Sequence, residues 1–228
     1  MVSFLILVLH FNQDLPMIYE QTKKLLSNFK KIRTADVDNI AEQYLKGGVD
    51  VTPLYSHIKE SGSILRIYFY VSLKSIASFE KQIEFIEGHF QDFNDWWHVD
   101  MLPQLIRKNK APSFDFVYDK AKEYVNHSLP FARRWGYVIF LAGFQKDPAQ
   151  TKRILDLYHN DDEYYVQMAE AWLLADLAIF NPEEVLKFIA KKPLNYNIIG
   201  KGIQKMSDSF RISDEVKQKA KELRSLYK

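Results

Sequence analysis

Apolar residues recur every three or four positions along most of the chain, which is the spacing of one face of an α-helix. Three such stripes are Phe79, Ile83, Ile86 and Phe90; Val166, Ala169, Leu173 and Leu177; and Val185 with Phe188 or Ile189. No segment shows the sustained alternation between turn residues that is typical of a β-hairpin. The pattern predicts an all-α protein of about a dozen helices, joined by loops of about 2–6 residues.

Capping residues and prolines predict where these helices begin. Four sites place a side chain that can cap a backbone N–H just before a proline, namely Asp14-Leu15-Pro16, Thr52-Pro53, Asp147-Pro148 and Asn181-Pro182. Further N-cap candidates are Thr34, Ser78, Asn94, Ser128 and Ser213. Gly47-Gly48 predicts a helix end, because glycine readily adopts the left-handed conformation that follows many helices.

The predicted helices follow one another as antiparallel pairs, 148–159 with 163–179 and 182–191 with 195–208. Each pair spans about 30–40 residues, close to the period of helical repeats of the HEAT type. No strict sequence repeat is visible, so the repeats would be degenerate. We therefore expect a single domain over residues 1–228, a curved superhelical solenoid of HEAT-like helix pairs with a concave face. A globular helical bundle is the alternative.

Composition excludes several classes of protein. The 228 residues include no cysteine, which rules out a disulfide framework, a thiolate zinc site and a cysteine nucleophile. The longest apolar run, Val2–Leu9, is far shorter than the ~20 residues that span a bilayer, and no basic segment precedes it. We expect this run to be a buried first element, and we expect a cytoplasmic, monomeric protein.

The net charge of +2 is distributed unevenly. Residues 101–145 and 181–228 carry net charges of +4 and +5, whereas residues 48–100 and 146–180 carry −4 each. Such alternating blocks are consistent with basic stripes on a surface that binds a polyanion. A solvated surface of mixed charges explains them nearly as well.

Two short segments combine residues that could carry chemistry. In Asp95-Trp96-Trp97-His98-Val99-Asp100, the first indole and the last carboxylate lie four residues apart and share one helix face, a combination that suits a cationic ring. A buried tryptophan beside a solvated aspartate is the alternative. Arg133-Arg134-Trp135 begins an otherwise apolar helix, and its arginines either extend to solvent or bind phosphates from a concave face. The six histidines lack metal-ligand spacing, so no metal is expected.

Four segments together resemble the bacterial DNA-alkylation-repair family, the HEAT-like DNA glycosylases. They are DWWHVD (95–100), PFARRWGYVIFL (130–141), DDEYYVQMAEAWLLADLAIFNPEEVLKFI (161–189) and GKGIQKMSDSFRISDEVK (200–217). The resemblance covers roughly residues 63–217 and leaves 1–62 as divergent N-terminal helices. It implies an all-α superhelix whose concave face holds duplex DNA. Active members hydrolyse the N-glycosidic bond of cationic N3- and N7-alkylpurines in base excision repair, without flipping the base and without a metal or cofactor.

The resemblance also assigns roles to individual residues. Asp100 matches the catalytic carboxylate, which would stabilise an oxocarbenium-like sugar and position water. Trp96 matches the aromatic residue that packs on the deoxyribose, and Trp172 matches the second aromatic wall. Arg134 matches the arginine that holds the DNA backbone near the lesion, with Arg133 as the fallback for that role.

The N-terminal part departs from the family pattern. Residues 12–62 contain no match to the G-[IV]-x-x-P-x-x-[RK] segment that contributes to DNA binding in the family. Because affinity for duplex DNA comes largely from lysine and arginine, a chain of net charge +2 is expected to bind DNA weakly. Three functions therefore stay open: an alkylpurine DNA glycosylase, a glycosylase-like scaffold that does not excise, and a HEAT-type protein-interaction module.

Overall fold

The structure is a computed structural model, and it describes residues 17–106, 111, 113–191 and 194–227. These residues form α-helices and short 3₁₀ helices without any strand, which confirms the all-α prediction for this part of the chain. The longest described helix has 17 residues, and none in the described ranges is long and apolar enough to cross a membrane. The apolar run Val2–Leu9 and the predicted cap at Asp14-Leu15-Pro16 lie outside the described residues.

The α-helices are α1 (Met17–Ser27), α2 (Thr34–Lys46), α3 (Gly62–Ser75), α4 (Phe79–Glu87), α5 (Trp96–Asp100), α6 (Phe114–Tyr124), α7 (Pro130–Val138), α8 (Thr151–Leu155), α9 (Tyr164–Phe180), α10 (Pro182–Lys191), α11 (Tyr196–Asp208) and α12 (Asp214–Arg224). The 3₁₀ helices are Thr52–His57, Phe90–Asp92, Leu102–Gln104, Ile139–Ala142, Phe144–Lys146, Pro148–Gln150 and Ser225–Tyr227.

Several predicted helix boundaries are confirmed. The hydroxyl groups of Ser78 and Ser213 accept hydrogen bonds from the first turns of α4 and α12, and Asp147 caps the 3₁₀ helix at Pro148. Gly48 follows α2 with a φ of +63°, the left-handed conformation that its position predicts. The predicted caps Thr34, Asn94 and Ser128 are each one residue off, since Arg33, Asp95 and Leu129 occupy the cap positions.

The chain divides into two compact units, Met1–Ile76 and Ala77–Lys228. In the first unit, α2 packs along α3, and polar side chains join the two helices. The guanidinium group of Arg66 donates to both carboxylate oxygens of Asp38, at 2.6 and 2.9 Å. One turn further, the hydroxyl of Tyr70 donates to Glu42 at 2.9 Å. Side-chain hydrogen bonds therefore link α2 and α3 at two positions along their length.

In the second unit, α7, α9 and α11 pack side by side, and α10 packs against α8, α9 and α12. The start of α7 and the start of α9 meet where Arg134 bonds to the carbonyl of Tyr165, and further along the chain Gln145 bonds to Asp176. In each of these two hydrogen bonds the partners are 31 residues apart in the sequence. The segment after residue 134 and the segment after residue 165 therefore run in the same direction. Parallel packing of alternate helices is a feature of helical repeats. The solenoid and the single domain stay predictions.

The apolar stripes form the core of the second unit, as their spacing predicts. The stripe of α4 and that of α9 are buried, as are Val185 and Ile189 of α10. The helix α7 is buried on several faces, and Trp135 and Tyr137 are fully covered. This helix therefore supplies a rigid base for Arg133 and Arg134.

Candidate functional site

The short helix α5 holds the two residues that its sequence predicts on one face. The Asp95 carboxylate accepts a hydrogen bond from the backbone N–H of Trp96 at 2.7 Å and caps the helix. The residue Trp96 is 46% exposed, whereas the side chain of Asp100 is only 15% exposed. The alternative of a buried tryptophan beside a solvated aspartate is therefore wrong. His98, between them, is buried, and burial lowers the pKa of its imidazole.

The Asp100 carboxylate is paired with Arg134 of α7. The guanidinium group donates from Nε to Oδ1 at 2.9 Å and from Nη2 to Oδ2 at 2.8 Å, a bidentate arrangement. A third hydrogen bond runs from Nη1 to the carbonyl oxygen of Tyr165 in α9. Arg134 is 3% exposed, so α5, α7 and α9 meet at a buried guanidinium group.

The charge of Asp100 is influenced by burial, by two cations and by the Asp95 carboxylate. Burial raises the pKa of the Asp100 carboxyl above its ordinary value, although the positive charges of Arg134 and Lys205 act in the opposite direction. Lys205 belongs to α11 and is exposed. A lysine 105 residues further along the chain thus contributes to lowering the pKa of Asp100.

Arg133 is directed to a different carboxylate. Its guanidinium group donates to both oxygens of Asp161, at 2.6 and 3.1 Å, and to the carbonyl oxygens of His127 and Ser128. The Arg133 side chain is 17% exposed, and that of Asp161 is 4% exposed. Neither arginine extends freely into solvent. Their assignment to the DNA backbone stays a prediction.

The structure brings together some of the predicted residues more closely than others. Asp100 and Arg134 are in direct contact, and Trp96 lies one helical turn from Asp100. Trp172 is half-buried on α9, two turns beyond the Tyr165 whose carbonyl accepts from Arg134. Trp96 and Asp100 lie on α5, and Trp172 lies on α9. Both helices pack against α7, which carries Arg134.

Sequence reasoning missed Lys205 and the Tyr165 carbonyl. A backbone carbonyl has no sequence signature, and Lys205 resembles the other lysines of the basic C-terminal segment. Within the described ranges, no group of three or more His, Cys, Asp and Glu side chains could hold a metal ion. The groups that the structure places at the site are the Asp100 carboxylate, the Arg134 guanidinium group and the exposed indole of Trp96.

These elements define an all-α protein with a buried carboxylate–arginine pair beside an exposed indole. The chain belongs to the DNA alkylation repair enzyme family, because the family model described as "DNA alkylation repair enzyme" matches residues 32–206. The match begins within the N-terminal segment 1–62 and covers the helices of the site. No curated protein and no solved structure matches the chain. Family membership connects the protein with DNA repair.

Proposed function

We propose that this protein is a DNA glycosylase that releases cationic N3- and N7-alkylpurines from duplex DNA. One observation carries the proposal: an exposed indole, Trp96, lies one turn from the Asp100 carboxylate, which a buried arginine fixes in orientation. An exposed tryptophan offers a surface on which a sugar or a base can pack. Membership of the DNA alkylation repair enzyme family supports DNA as the substrate.

The reaction requires the protein mainly to stabilise a developing positive charge and to position a water molecule. When the N-glycosidic bond breaks, its electron pair moves to the alkylated base and neutralises the positive charge there. Positive charge then develops on the deoxyribose, water adds to C1′, and a proton is released to solvent. A fixed carboxylate and the face of an indole both stabilise such a cation. In this proposal Asp100 stabilises the sugar and positions water, and Trp96 and Trp172 flank it.

Arg134 has a definite part in this arrangement. By donating to both oxygens of Asp100, it fixes the plane of the carboxylate, and its bond to the Tyr165 carbonyl ties that plane to α9. A preorganised charge stabilises a transition state without reorientation at the moment of reaction. We therefore propose that Arg134 positions the catalytic carboxylate.

A second candidate function is DNA binding without excision. The same ion pair favours it, because a carboxylate that already neutralises Arg134 opposes a developing cation less strongly. The low net charge of +2 agrees with a protein that binds DNA weakly. A protein-interaction module is the remaining alternative, since helical repeats bind proteins readily.

The deciding experiment measures release of 7-methylguanine from a methylated DNA duplex by chromatography. The glycosylase proposal predicts release that is proportional to protein concentration and above spontaneous depurination, and it predicts loss of this release in Asp100→Asn. Duplex binding without release would support the non-excising scaffold. Absence of both release and duplex binding at low salt would leave the protein-interaction module.

A further inference from the structure

Two adjacent arginines of α7 hold the start of α9 at two points. Arg134 donates from Nη1 to the carbonyl oxygen of Tyr165, the second residue of α9. Arg133 donates from Nε and Nη2 to the carboxylate of Asp161, at 2.6 and 3.1 Å, three residues before α9 begins. The acceptor that Arg134 uses on α9 thus lies next to a segment that Arg133 also binds.

Asp161 is attached to the first turn of α9 through its side chain and through its backbone. Its Oδ1 accepts a hydrogen bond from the backbone N–H of Glu163 at 2.8 Å. Its carbonyl oxygen accepts from the side-chain amide of Gln167 at 2.7 Å. Both Asp161 and Gln167 are buried. A displacement of Asp161 would therefore displace the first turn of α9, which includes Tyr165.

Arg133 is held equally firmly on the side of α7. Its Nη1 donates to the carbonyl oxygens of His127 and Ser128, at 3.1 and 3.2 Å, in the segment before α7. All three nitrogens of the guanidinium group thus donate within the protein, and a planar group bound in this way has a defined orientation. Arg133 therefore links the segment before α7 to the segment before α9.

The contact between Arg134 and Asp100 depends on where α9 begins. Arg134 donates to Asp100 from Nε and Nη2, and Nη1 donates to Tyr165. If the Tyr165 carbonyl moved away, a donor on a residue that is 3% exposed would lose its partner, which is costly. The guanidinium group would then turn towards another acceptor, and both bonds to Asp100 would weaken.

We propose that Arg133 and Asp161 are positioning residues for the reaction at Asp100. The pair sets the place of the Tyr165 carbonyl, this carbonyl fixes Arg134, and Arg134 orients the carboxylate. The inference rests on the proposed function for the reaction itself. It gives the adjacent arginines different roles, because Arg134 contacts the catalytic group and Arg133 acts through α9.

The test measures the pKa of Asp100 by NMR titration of the carboxyl carbon in the protein without DNA. The positive charge of Arg134 lowers this pKa against the effect of burial, so a looser contact should raise it. A neighbouring cation lowers the pKa of a carboxyl by about 1–3, and we expect a rise of about 1. The variants are Asp161→Asn, Arg133→Gln and Arg133→Lys.

Direct charge effects and positioning differ in sign across these variants. Removing the Asp161 carboxylate would by charge alone lower the pKa of Asp100, and removing the Arg133 guanidinium would raise it. Arg133→Lys keeps the charge but loses the planar fork, so charge alone predicts no change. Loss of positioning raises the pKa of Asp100 in all three variants. A rise in Asp161→Asn and in Arg133→Lys is therefore the expected result.

Asp38→Asn is the matched control for a general loss of stability. It removes the carboxylate of another bidentate pair, with Arg66 in the first unit, and should leave the pKa of Asp100 unchanged. Each titration is limited to the pH range in which urea unfolding shows the variant to be folded. Arg133→Lys, which keeps a charged donor, is the mildest change and preserves the test if Asp161→Asn unfolds.

Single-turnover release of 7-methylguanine gives a second readout. Misplacement of a catalytic group by about 1 Å can cost a factor of about 10², so the pair variants should excise more slowly by up to this factor. Their affinity for duplex DNA should match that of wild type.

The outcomes separate this inference from the proposed function. A lower pKa of Asp100 in Asp161→Asn, or an unchanged pKa in Asp161→Asn and Arg133→Lys, overturns the positioning role. Weakened duplex binding with wild-type excision at saturation also overturns it, because Arg133 would then contact DNA directly. If the wild type releases no base, the proposed function fails, and the pKa of Asp100 alone decides whether the pair holds the carboxylate in place.

Discussion

Asp100 and Arg134 are 34 residues apart in the sequence, and both carboxylate oxygens of the first accept hydrogen bonds from the guanidinium group of the second. The pair is shielded from solvent and is tied to α9 by the Tyr165 carbonyl. A buried ion pair contributes little net stability, but breaking it leaves an uncompensated charge. Substitutions at this pair therefore need a stability measurement beside every activity measurement.

Asp100→Asn should lower the rate of 7-methylguanine release by a factor of about 10²–10³, because the amide keeps the shape and loses the charge that opposes the sugar cation. Single-turnover excision at a temperature where the variant is folded measures this effect, and DNA affinity should stay near that of wild type. Asp147→Asn is the matched control, since it makes the same change at a helix cap outside the site, where asparagine serves equally well. Equal losses in both variants would contradict the special role of Asp100.

Trp96→Ala should reduce excision while lowering the free energy of unfolding by less than about 1 kcal/mol, because nearly half of the side chain is already exposed. Trp135→Ala, at a fully buried indole, should cost about 3–5 kcal/mol. Urea unfolding of the two variants measures the contrast. Phe210→Ala removes another exposed aromatic side chain and should change neither excision nor stability. A large loss of stability in Trp96→Ala would show that this indole is part of the core.

The Asp161–Arg133 pair should make stability depend on pH. Burial raises the pKa of the Asp161 carboxyl, but hydrogen bonds from Arg133 and from the Glu163 N–H outweigh burial, so the net pKa lies below its ordinary value. A lowered native pKa stabilises the fold above the pKa of the unfolded chain, about 3.9, and this contribution is lost as the pH falls through the native pKa.

Asp161→Asn should therefore be less stable than wild type by about 1–3 kcal/mol at pH 7. The difference should begin to shrink as the pH falls towards the unfolded pKa of about 3.9, where the unfolded chain binds a proton at this carboxyl, and should shrink further as the pH falls through the lower native pKa. Urea unfolding of both proteins at several pH values measures the difference. A difference that stays constant down to pH 3 would contradict a lowered pKa of Asp161.

Gly136→Ala should destabilise the second unit by about 1–3 kcal/mol through overpacking. A Cβ atom at this position would lie 2.7 Å from Val125 Cγ1 and 2.9 Å from the Val125 backbone nitrogen, where α6 approaches α7. Gly88→Ala is the control, because its Cβ would meet its nearest neighbour at an ordinary 3.5 Å. Thermal unfolding should show a lower Tm only for Gly136→Ala. Equal Tm values would mean that α6 and α7 separate readily.

The arrangement of helices could be predicted in good part from local patterns. Apolar residues spaced three and four apart correctly predicted the buried faces of α4 and α9. Ser78 and Ser213 correctly predicted where α4 and α12 begin. These signals are local, because a helix face and a cap depend on residues within about one turn. Where several polar residues adjoin, as at Asn94 and Asp95, local reasoning was one residue off.

The sequence by itself determined an all-α chain, the shared face of Trp96 and Asp100, and the family that the motifs imply. Only the tertiary structure decided which carboxylate Arg133 binds and which carboxylate Arg134 binds. The physical reason is that an ion pair between distant segments depends on how helices pack and on how much water they exclude. Two adjacent arginines look equivalent in the sequence, but successive residues of a helix point about 100° apart and so meet different neighbours.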